Sequence, residues 1–568
     1  MDRKLQVSAR DSRRVIARIT KLLLAGKNGE ALALARVAVR RYPDDARIRA
    51  RHGDALYKHE RLRQAERAYR VALRLDGCLF QAWYGLAWTE FSRGAYASAA
   101  ASFQRALDAH PKDGDARFYL AKCRFYLGEV DAAIEEHHRL AAQSRGKLQR
   151  EALGEIAKII PGSPTRGNAE ILEARVRWAK LEAARERPLA KPRAHVTDGG
   201  KRLRIGYVSA FFASRNWMKP VWGVINNHDR SSFDVHLFAD LEQPDQASGY
   251  ARHRTDTIHR LDGLSNQAAA KSVRSAGIDI LVDLNAYSFA ERLGMFVRNP
   301  APVRVGWFNS FATSGIRAFD YIVGDASVIA RAEERYYAES VLRVPVSYLA
   351  FQVLYPVPEV TPPPSTNASG ITFGCLAPQY KLTDEVISTW AEILATAPTS
   401  MLILKNTYLD ERSNRAAVLA RFERFGVHAE RLILAPSADH YRFLKAYARI
   451  DIALDTFPYS GGTTTMEALW QGVPVLTFRG DRWASRTTVS LLRAAGLGDW
   501  EMRNREDYVK RAIELARSPN TPGMLATLRK GLRERLLASG ACNSERLCRE
   551  LEKHYKRIAR RSKSGLAS

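Results

Sequence analysis

The 568-residue sequence is poor in cysteine, in acidic residues and in long apolar runs. Its five cysteines are scattered, with no CxxC pair and no Cys/His cluster, which argues against a disulfide framework and a structural zinc site. Lys and Arg number 88 against 61 Asp and Glu, and the resulting net charge of +27 favours anionic partners of some kind. No apolar run approaches the roughly 18 to 20 residues of a membrane span, and no signal-peptide core follows the N-terminus, so we expect a cytoplasmic protein.

The composition is otherwise that of a folded protein with several domains. Apolar residues make up 46% of the chain and charged residues 26%, both near the averages of globular proteins. At roughly 150 residues per domain, this length predicts three or four structural units.

A 34-residue period marks the first quarter of the chain. Ala65, Ala99 and Ala133 follow one another at this interval. The segment Leu79–Pro111 resembles a tetratricopeptide repeat (TPR), and we expect about four such repeats over residues 10–145. Repeats of this kind bind an extended peptide or a protein partner but perform no chemistry, so the activity must lie elsewhere. The alternative is an ordinary helical bundle that is rich in alanine.

Short apolar runs alternate with amphipathic stretches beyond a basic linker rich in Pro and Gly, from Pro188 to Lys201. The expected strands are Leu203–Ala210, Val235–Ala239, Ile278–Leu284, Val303–Trp307, Tyr321–Val323, Ile371–Cys375, Met401–Leu404, Leu432–Leu434, Ile450–Leu454 and Val473–Thr477. This alternation predicts parallel sheets covered by helices. Five prolines between Pro356 and Ser365 divide the strands into two sets, so we expect two α/β domains with a ligand cleft between them.

The predicted fold class is therefore α + α/β, an N-terminal TPR α-solenoid followed by two Rossmann-like domains. In chain order we predict a repeat domain (1–145), a helical linker (146–200), two α/β domains (201–355 and 366–540) and a basic C-terminal helix and tail (541–568). The charge of the tail comes from Lys556, Arg557, Arg560, Arg561 and Lys563.

The stretch Ile450–Thr477 reads IDIALDTFPYSGGTTTMEALWQGVPVLT and predicts a strand, a turn, a helix and a second strand. The residues of interest at the turn and helix start are Gly461, Gly462, Thr463, Thr464 and Thr465. The glycines let the backbone approach a ligand, and free N–H groups, hydroxyls and the positive helix end suit a diphosphate. Glu467, one helical turn on, is placed to accept hydrogen bonds from a ribose diol. The alternative is that the threonines only cap a helix.

Further segments stand out in chain order: RIGYVS (Arg204–Ser209), ILVDLNAYS (Ile280–Ser288), RNPAPVRVGW (Arg298–Trp307), TSG (Thr313–Gly315) and DYIVGD (Asp320–Asp325). Together with DTFPYSGGTTTMEALWQGVP they resemble the catalytic region of the O-GlcNAc transferase and SPINDLY family. That family places TPRs before two facing Rossmann-like domains, the GT-B architecture. The resemblance implies an inverting, metal-independent transferase that moves a sugar from a nucleotide sugar to Ser or Thr of a protein held along the repeats.

The resemblance also implies roles for individual residues. Lys381, in CLAPQYKLTDE, matches the lysine that neutralises the diphosphate leaving group, which a metal-free enzyme needs because charge accumulates on the β-phosphate. Thr463 and Thr464 would hold the diphosphate, and Glu467 the ribose. His440, in APSADHYRF, lies near the position of a uracil-contacting histidine. A UDP-sugar is thus the expected co-substrate, with no cofactor and no metal; a solvated lysine and a surface histidine are the alternatives.

The sequence departs from the family pattern where sugar and acceptor should lie. Arg215 takes the place of a histidine, Gly462 replaces a second histidine, and Asn309–Ala312 replaces a glycine-rich turn. Because a guanidinium stays protonated at neutral pH, Arg215 cannot accept a proton. It could contact an acidic group on the sugar or donor, or point into solvent. Asp283 and Asp320 are more typical of structural caps than of catalytic bases.

Two functions compete. The first is a protein O-glycosyltransferase that uses UDP-GlcNAc or a related sugar, with flagellin or another surface protein as acceptor by analogy. The second is a catalytically weak TPR scaffold whose GT-B part senses a nucleotide sugar, and the altered region around Arg215 favours it. We predict no specific nucleic-acid partner because no binding motif accompanies the charge, and expect the basic surface to contact acidic partners or membrane lipid.

Overall fold

The computed structural model describes residues 2–190, 192, 202–368 and 370–563, with side chains for residues 11–562 of these ranges. The chain divides into two compact units. The first comprises Met1–Ala152, Pro378–Tyr380 and Asn406–Arg421, and the second comprises the remainder. Most of the predicted linker from Pro188 to Lys201, the side chain of Lys563 and the last five residues of the basic tail lie outside the described residues.

The first unit is helical. Its helices are α1 (Asp2–Leu24), α2 (Asn28–Arg41), α3 (Ala46–Lys58), α4 (Leu62–Leu75), α5 (Phe80–Ser92), α6 (Tyr96–Ala109), α7 (Gly114–Tyr126) and α8 (Val130–Gln143), and α9 (Gly146–Ile159) begins in it. Each helix from α1 to α8 packs against the next, so that they form four helical hairpins. This is the number of repeats that the 34-residue period predicts. The periodic alanines Ala65, Ala99 and Ala133 are fully buried, because small side chains allow the helices to approach one another.

A late segment of the chain belongs to the helical unit. Asn414 donates from Nδ2 to the carbonyl of Gly94 at 2.7 Å and accepts from the N–H of Ala97 at 3.1 Å. The guanidinium of Arg93 binds both carboxylate oxygens of Glu411, at 3.0 and 2.9 Å. These contacts attach the segment Asn406–Arg421 to the turn between α5 and α6.

The second unit contains two parallel sheets, of which the first has seven strands. Its elements are α10 (Asn168–Ala183), β1 (Leu203–Ser209), α11 (Arg215–Asn226), β2 (Phe233–Ala239), β3 (Thr257–Arg260), α12 (Asn266–Ser275), β4 (Ile280–Asp283), α13 (Leu293–Val297), β5 (Val303–Gly306), β6 (Tyr321–Asp325) and β7 (Ser340–Val344). The strand order is β3-β2-β1-β4-β5-β6-β7. The register pairs β1 with both β2 and β4. Strands β2 and β3 are therefore added toward one edge of the sheet, and strands β4 to β7 toward the other.

The second sheet has six strands in the order β10-β9-β8-β11-β12-β13. In this part of the chain the elements are β8 (Thr372–Cys375), α14 (Asp384–Thr396), β9 (Met401–Lys405), α15 (Arg412–Arg424), β10 (Leu432–Ala435), α16 (His440–Lys445), β11 (Ile452–Leu454), α17 (Thr463–Trp470), β12 (Val475–Phe478), α18 (Thr487–Ala494), β13 (Glu501–Met502), α19 (Arg505–Arg517) and α20 (Thr521–Leu537). Most of α15 belongs to the first unit. A last helix, α21 (Ser544–Lys563), packs against α11 of the first sheet.

Each of the ten predicted strands lies in one of these sheets, with bounds that differ by up to two residues at each end. Strands β3, β7 and β13 were not predicted from the sequence, and all three lie at a sheet edge. These three strands are exposed on one side and lack the continuous apolar run that identifies a buried strand, whereas the fourth edge strand, β10, has such a run and was predicted. Among the helices that the structure describes, none has both the length and the apolar character needed to cross a membrane.

Candidate functional site

The strand order of the second sheet places a crevice at the carboxyl ends of β8 and β11. These strands are neighbours, but the chain continues from them toward opposite edges of the sheet, to β9 and to β12. Ligands of open α/β sheets bind at such a switch point. The segment that follows β8 contains Lys381, and the segment that follows β11 contains the glycine turn, so the topology brings these two predicted features together.

The glycine turn is held by a buried carboxylate. Asp455 accepts from the N–H of Gly461 at 2.7 Å and from the hydroxyl of Thr477 at 2.8 Å. Burial raises the pKa of Asp455, and these hydrogen bonds oppose the shift. A Cβ on Gly461 would lie 2.3 Å from Oγ1 of Thr465, so only glycine fits at this position.

The three threonines that follow divide into two groups. Thr463 and Thr464 are partly exposed at the start of α17, whereas Thr465 is buried with its Oγ1 2.9 Å from Oγ1 of Thr488. The first N–H groups of a helix have no carbonyl partner within it, and Gly462 provides no side-chain cap. The helix start therefore offers N–H groups and two hydroxyls to an anion.

Lys381 brings a positive charge to the same turn. Its Nζ donates to the carbonyl oxygen of Ser460 at 2.7 Å and lies 4.0 Å from the centroid of the Tyr459 ring. Burial lowers the pKa of Lys381 to about 8, and the Asp455 carboxylate opposes this shift. The turn thus has a cation beside it that titrates just above neutral pH.

Glu467 and His440 meet at a residue that the sequence analysis did not identify, Lys219. Nζ of Lys219 lies 2.6 Å from Oε1 of Glu467 and 3.2 Å from Nε2 of His440. Burial raises the pKa of Glu467 and lowers that of Lys219, and the attraction between the two charges opposes both shifts. Burial, with the charges of Lys219 and Arg215, lowers the pKa of His440 to about 4, so this imidazole is neutral and accepts from Lys219.

Lys219 had one weak signal in the sequence. It lies four positions after Arg215, so both residues share a face of the helix that follows β1. Arg215 is the first residue of that helix, and its side chain is exposed, with Nε donating to the carbonyl of Ala247 at 2.8 Å. Among the described residues no hydrogen bond or ion pair joins Arg215 to Lys381 or to the glycine turn.

The two aspartates that the sequence analysis assigned to structure make local contacts. Asp283 accepts from the N–H groups of Asn285 and Ala286 at 3.1 and 2.9 Å, and burial raises its pKa to about 7. Asp320 accepts from the N–H of Arg304 at 2.8 Å and forms an ion pair with the same residue. Both carboxylates therefore support the loops at the ends of strands.

A buried Cys/His/Glu group lies where α21 packs on the first sheet, although the sequence shows no such cluster. Nδ1 of His228 is 3.0 Å from Oε1 of Glu552 and 3.5 Å from Sγ of Cys548. Nε2 of the same histidine is 2.7 Å from the hydroxyl of Tyr207. The cluster escaped the sequence analysis because 320 residues separate Cys548 from His228. Hydrogen bonds account for the polar atoms of all three side chains.

Comparison with known families gives matches along most of the chain. The profile described as Glycosyl transferase family 41 matches residues 173–352 and 366–551. Two profiles described as tetratricopeptide repeat match residues 50–114 and 90–155.

The curated relatives are longer proteins. A SPINDLY protein of Petunia hybrida, named a probable UDP-N-acetylglucosamine–peptide N-acetylglucosaminyltransferase, is 31% identical over 375 residues, which are 64% of this chain and 39% of that protein. The UDP-N-acetylglucosamine–peptide N-acetylglucosaminyltransferase of Caenorhabditis elegans is 23% identical over 498 residues, 67% of this chain and 42% of its own. The chain thus spans about two fifths of the length of these relatives.

One solved structure matches nearly the whole chain. It is a point mutant of the Thermobaculum terrenum O-GlcNAc transferase, with 30% identity and a TM-score of 0.78 over 92% of this chain and 99% of that one. This match and the repeat profiles confirm the predicted fold class, a TPR α-solenoid followed by a GT-B pair of Rossmann-like domains.

Proposed function

The chain belongs to glycosyl transferase family 41, and on this premise we propose that it is a protein O-glycosyltransferase. It transfers a sugar from a UDP-linked donor, UDP-GlcNAc or a related sugar, to Ser or Thr of a protein that the repeats recruit. The names of the relatives support this reaction. The observation that carries the proposal is the meeting of Lys381, the threonine pair Thr463–Thr464 and the carboxylate of Glu467 around one crevice.

The diphosphate of the donor binds at the start of α17. The free N–H groups of the first turn and the hydroxyls of Thr463 and Thr464 donate to the phosphate oxygens. The ammonium of Lys381 has three N–H groups and gives one to the Ser460 carbonyl, so it can also donate to the β-phosphate.

The nucleoside binds one helical turn further on. Oε1 of Glu467 is occupied by Lys219, and among the described residues nothing binds Oε2, which accepts from a ribose hydroxyl. His440, neutral and partly exposed, contacts the base. We infer UDP as the nucleotide from the matched position of this histidine.

Catalysis then rests on charge stabilisation at the leaving group. As the bond from the anomeric carbon to the β-phosphate oxygen breaks, negative charge grows on that phosphate. Lys381 and the helix start meet this charge with groups that are already in position, so the reaction needs no metal ion. The acceptor hydroxyl attacks from the opposite face and inverts the anomeric carbon, the bond to the β-phosphate oxygen breaks, and the hydroxyl proton passes to water or to the released diphosphate. Arg215 is not its proton acceptor, because a guanidinium stays protonated.

A binding and turnover experiment tests the proposal. We expect UDP and one UDP-sugar to raise the melting temperature, since a ligand at a hundredfold excess over Kd adds about 2.7 kcal/mol of stability. Sugar transfer or hydrolysis should follow with that donor and fall about a hundredfold or more in Lys381→Ala, the scale of losing one preorganised charge contact. Failure of UDP and of every UDP-sugar to stabilise the chain would overturn the proposal.

One observation favours the scaffold as a second candidate function. Lys219 already pairs with Glu467, so a donor must bind beside an ion pair rather than to a free carboxylate. A scaffold that senses nucleotide sugars would bind UDP-sugar without turnover in a single-turnover assay that includes acceptor proteins. A flagellin-like acceptor, a cytoplasmic location and contact of the basic surface with acidic partners or membrane lipid stay predictions.

A further inference from the structure

A cavity of about 310 Å³ lies beside the donor residues. Three stretches of chain line it: helix α11, the segment Gln246–Ala251 that follows β2, and residues between Gln352 and Tyr355 that follow β7. The donor-binding and catalytic roles proposed above leave this space unused.

The walls of the cavity carry an unbalanced positive charge. Arg215 and Lys219 line it, and none of the described residues that line it is an Asp or a Glu. Glu467 balances the charge of Lys219 at 2.6 Å. Arg215 forms no ion pair within the described part of the chain, and its Nε is fixed to the Ala247 carbonyl at 2.8 Å. The two terminal nitrogens of the guanidinium are therefore left to bind an anion.

One unpaired guanidinium matches a carboxylate. Arginine binds a carboxylate through two parallel N–H···O hydrogen bonds. A phosphate monoester would bring close to two negative charges at neutral pH, and the walls provide only one uncompensated cation. We therefore expect a ligand with a single negative charge at this end.

The rest of the lining suits the body of a sugar. Tyr355 supplies partly exposed aromatic surface, whereas Trp222 and Tyr250, whose ring centroids lie 4.9 Å apart, are almost fully buried behind the wall.

The cavity adjoins the donor site through a shared residue. Nζ of Lys219 lies 4.5 Å from the centroid of the Tyr355 ring on the cavity side, and it contacts Glu467 and His440 on the donor side. We propose that the cavity binds a carboxylated sugar, with the carboxylate at Arg215 and the sugar ring against the ring of Tyr355. That sugar belongs either to the donor itself or to a separate acidic saccharide. The first of these sources rests on the proposed function.

Calorimetric titration of the full chain with four probes tests this proposal. The probes are UDP, UDP-glucose, UDP-glucuronate and methyl glucuronide, of which the two UDP-sugars differ only at one carboxylate. If the donor supplies the acid, UDP-glucuronate should bind about tenfold tighter than UDP-glucose, the scale of one charge-assisted pair. Arg215→Gln should remove this preference and leave the Kd of UDP unchanged.

Arg254→Gln is the matched control, because Arg254 is exposed in the same region but does not line the cavity. It removes one positive charge and should keep the preference. Binding of methyl glucuronide, lost in Arg215→Gln, with equal affinity for the two UDP-sugars would identify a separate saccharide as the source. Equal affinities without methyl glucuronide binding would overturn the proposal, as would a preference that survives in Arg215→Gln.

The two proposals fail in different ways. If no UDP compound binds, the proposed function fails, and methyl glucuronide still decides whether the cavity binds an acidic sugar. If UDP and UDP-glucose bind but neither acidic probe depends on Arg215, the proposed function stands and the cavity proposal fails.

Discussion

Nζ of Lys219 lies 2.6 Å from Oε1 of Glu467, and this ion pair joins helix α11 beside the first sheet to helix α17 beside the second. Both side chains are nearly inaccessible, with 4% and 7% of their surface exposed. A buried pair gains little over an apolar pair of the same shape, but removing one partner typically costs about 3–5 kcal/mol because an unpaired charge remains. The effects of Lys219 and Glu467 on the free energy of unfolding are therefore strongly coupled.

This coupling can be measured with a double-mutant cycle. We expect Lys219→Met and Glu467→Gln each to lower the melting temperature by several degrees. The double variant should lose much less than the sum of the two, because neither charge is then left alone. Scanning calorimetry of the four proteins at pH 7 provides the test. Additive losses would mean that the two residues act independently despite their distance.

The lowered pKa of Lys381 predicts a pH dependence of donor binding. The side chain is charged below its pKa of about 8 and neutral above it, so its attraction for the diphosphate is present at pH 7 and lost as the pH rises. We expect the affinity for UDP to decrease between pH 7 and pH 9, with the midpoint near 8 in the free protein. Calorimetric titration at intervals across this range measures the profile.

Lys381→Arg is the control for that profile. An arginine keeps its charge throughout the range, so the variant should show a flat dependence even if its affinity at pH 7 is lower. If the affinity for UDP decreases equally with pH in both proteins, another group is titrating, and the role of Lys381 is contradicted.

The geometry of the proposed donor site was predictable from sequence where its residues are close in the chain. Gly461, Thr463 and Glu467 belong to one strand–turn–helix motif, and its geometry follows from local chemistry. Lys381 was assigned to the proposed site by resemblance alone. Lys219 was missed because 248 residues separate it from Glu467, and nothing in either segment indicates which helices of the two sheets meet.

The fold shows the same division between local and distant information. Buried strands were predicted because a short continuous apolar run indicates a strand that is covered on both faces, whereas the edge strands β3, β7 and β13 carry no such run. Helix α21 was predicted as a basic helix, but its packing on the first sheet was not. Its buried residues, Leu547, Leu551 and Tyr555, recur at four-residue steps and identify an apolar face without identifying its partner.

The shape of the glycine turn predicts unequal effects of two adjacent substitutions. In Gly461→Ala the new methyl group would lie 2.3 Å from Oγ1 of Thr465, whereas in Gly462→Ala the nearest atom is 3.5 Å away. The first variant must distort the turn, and overpacking of this kind costs about 1–3 kcal/mol. We expect a clear fall in melting temperature for Gly461→Ala and a smaller one for Gly462→Ala. Equal falls would show that backbone freedom, not contact with Thr465, requires glycine here.

The repeats offer a matched test of close helix packing. A methyl group at Gly85 would lie 2.4 Å from the ring of Tyr69, which is buried between helices α4 and α5 and donates to Asp54 at 2.7 Å. Gly85→Ala should therefore destabilise the repeats by about 1–3 kcal/mol, because the ring cannot move without breaking that hydrogen bond. Gly29→Ala, in α2 with no atom within 4 Å, should be neutral or slightly stabilising, since alanine favours a helix over glycine. Thermal unfolding followed by far-ultraviolet circular dichroism compares the two variants, and an unchanged melting temperature in Gly85→Ala would contradict the packing argument.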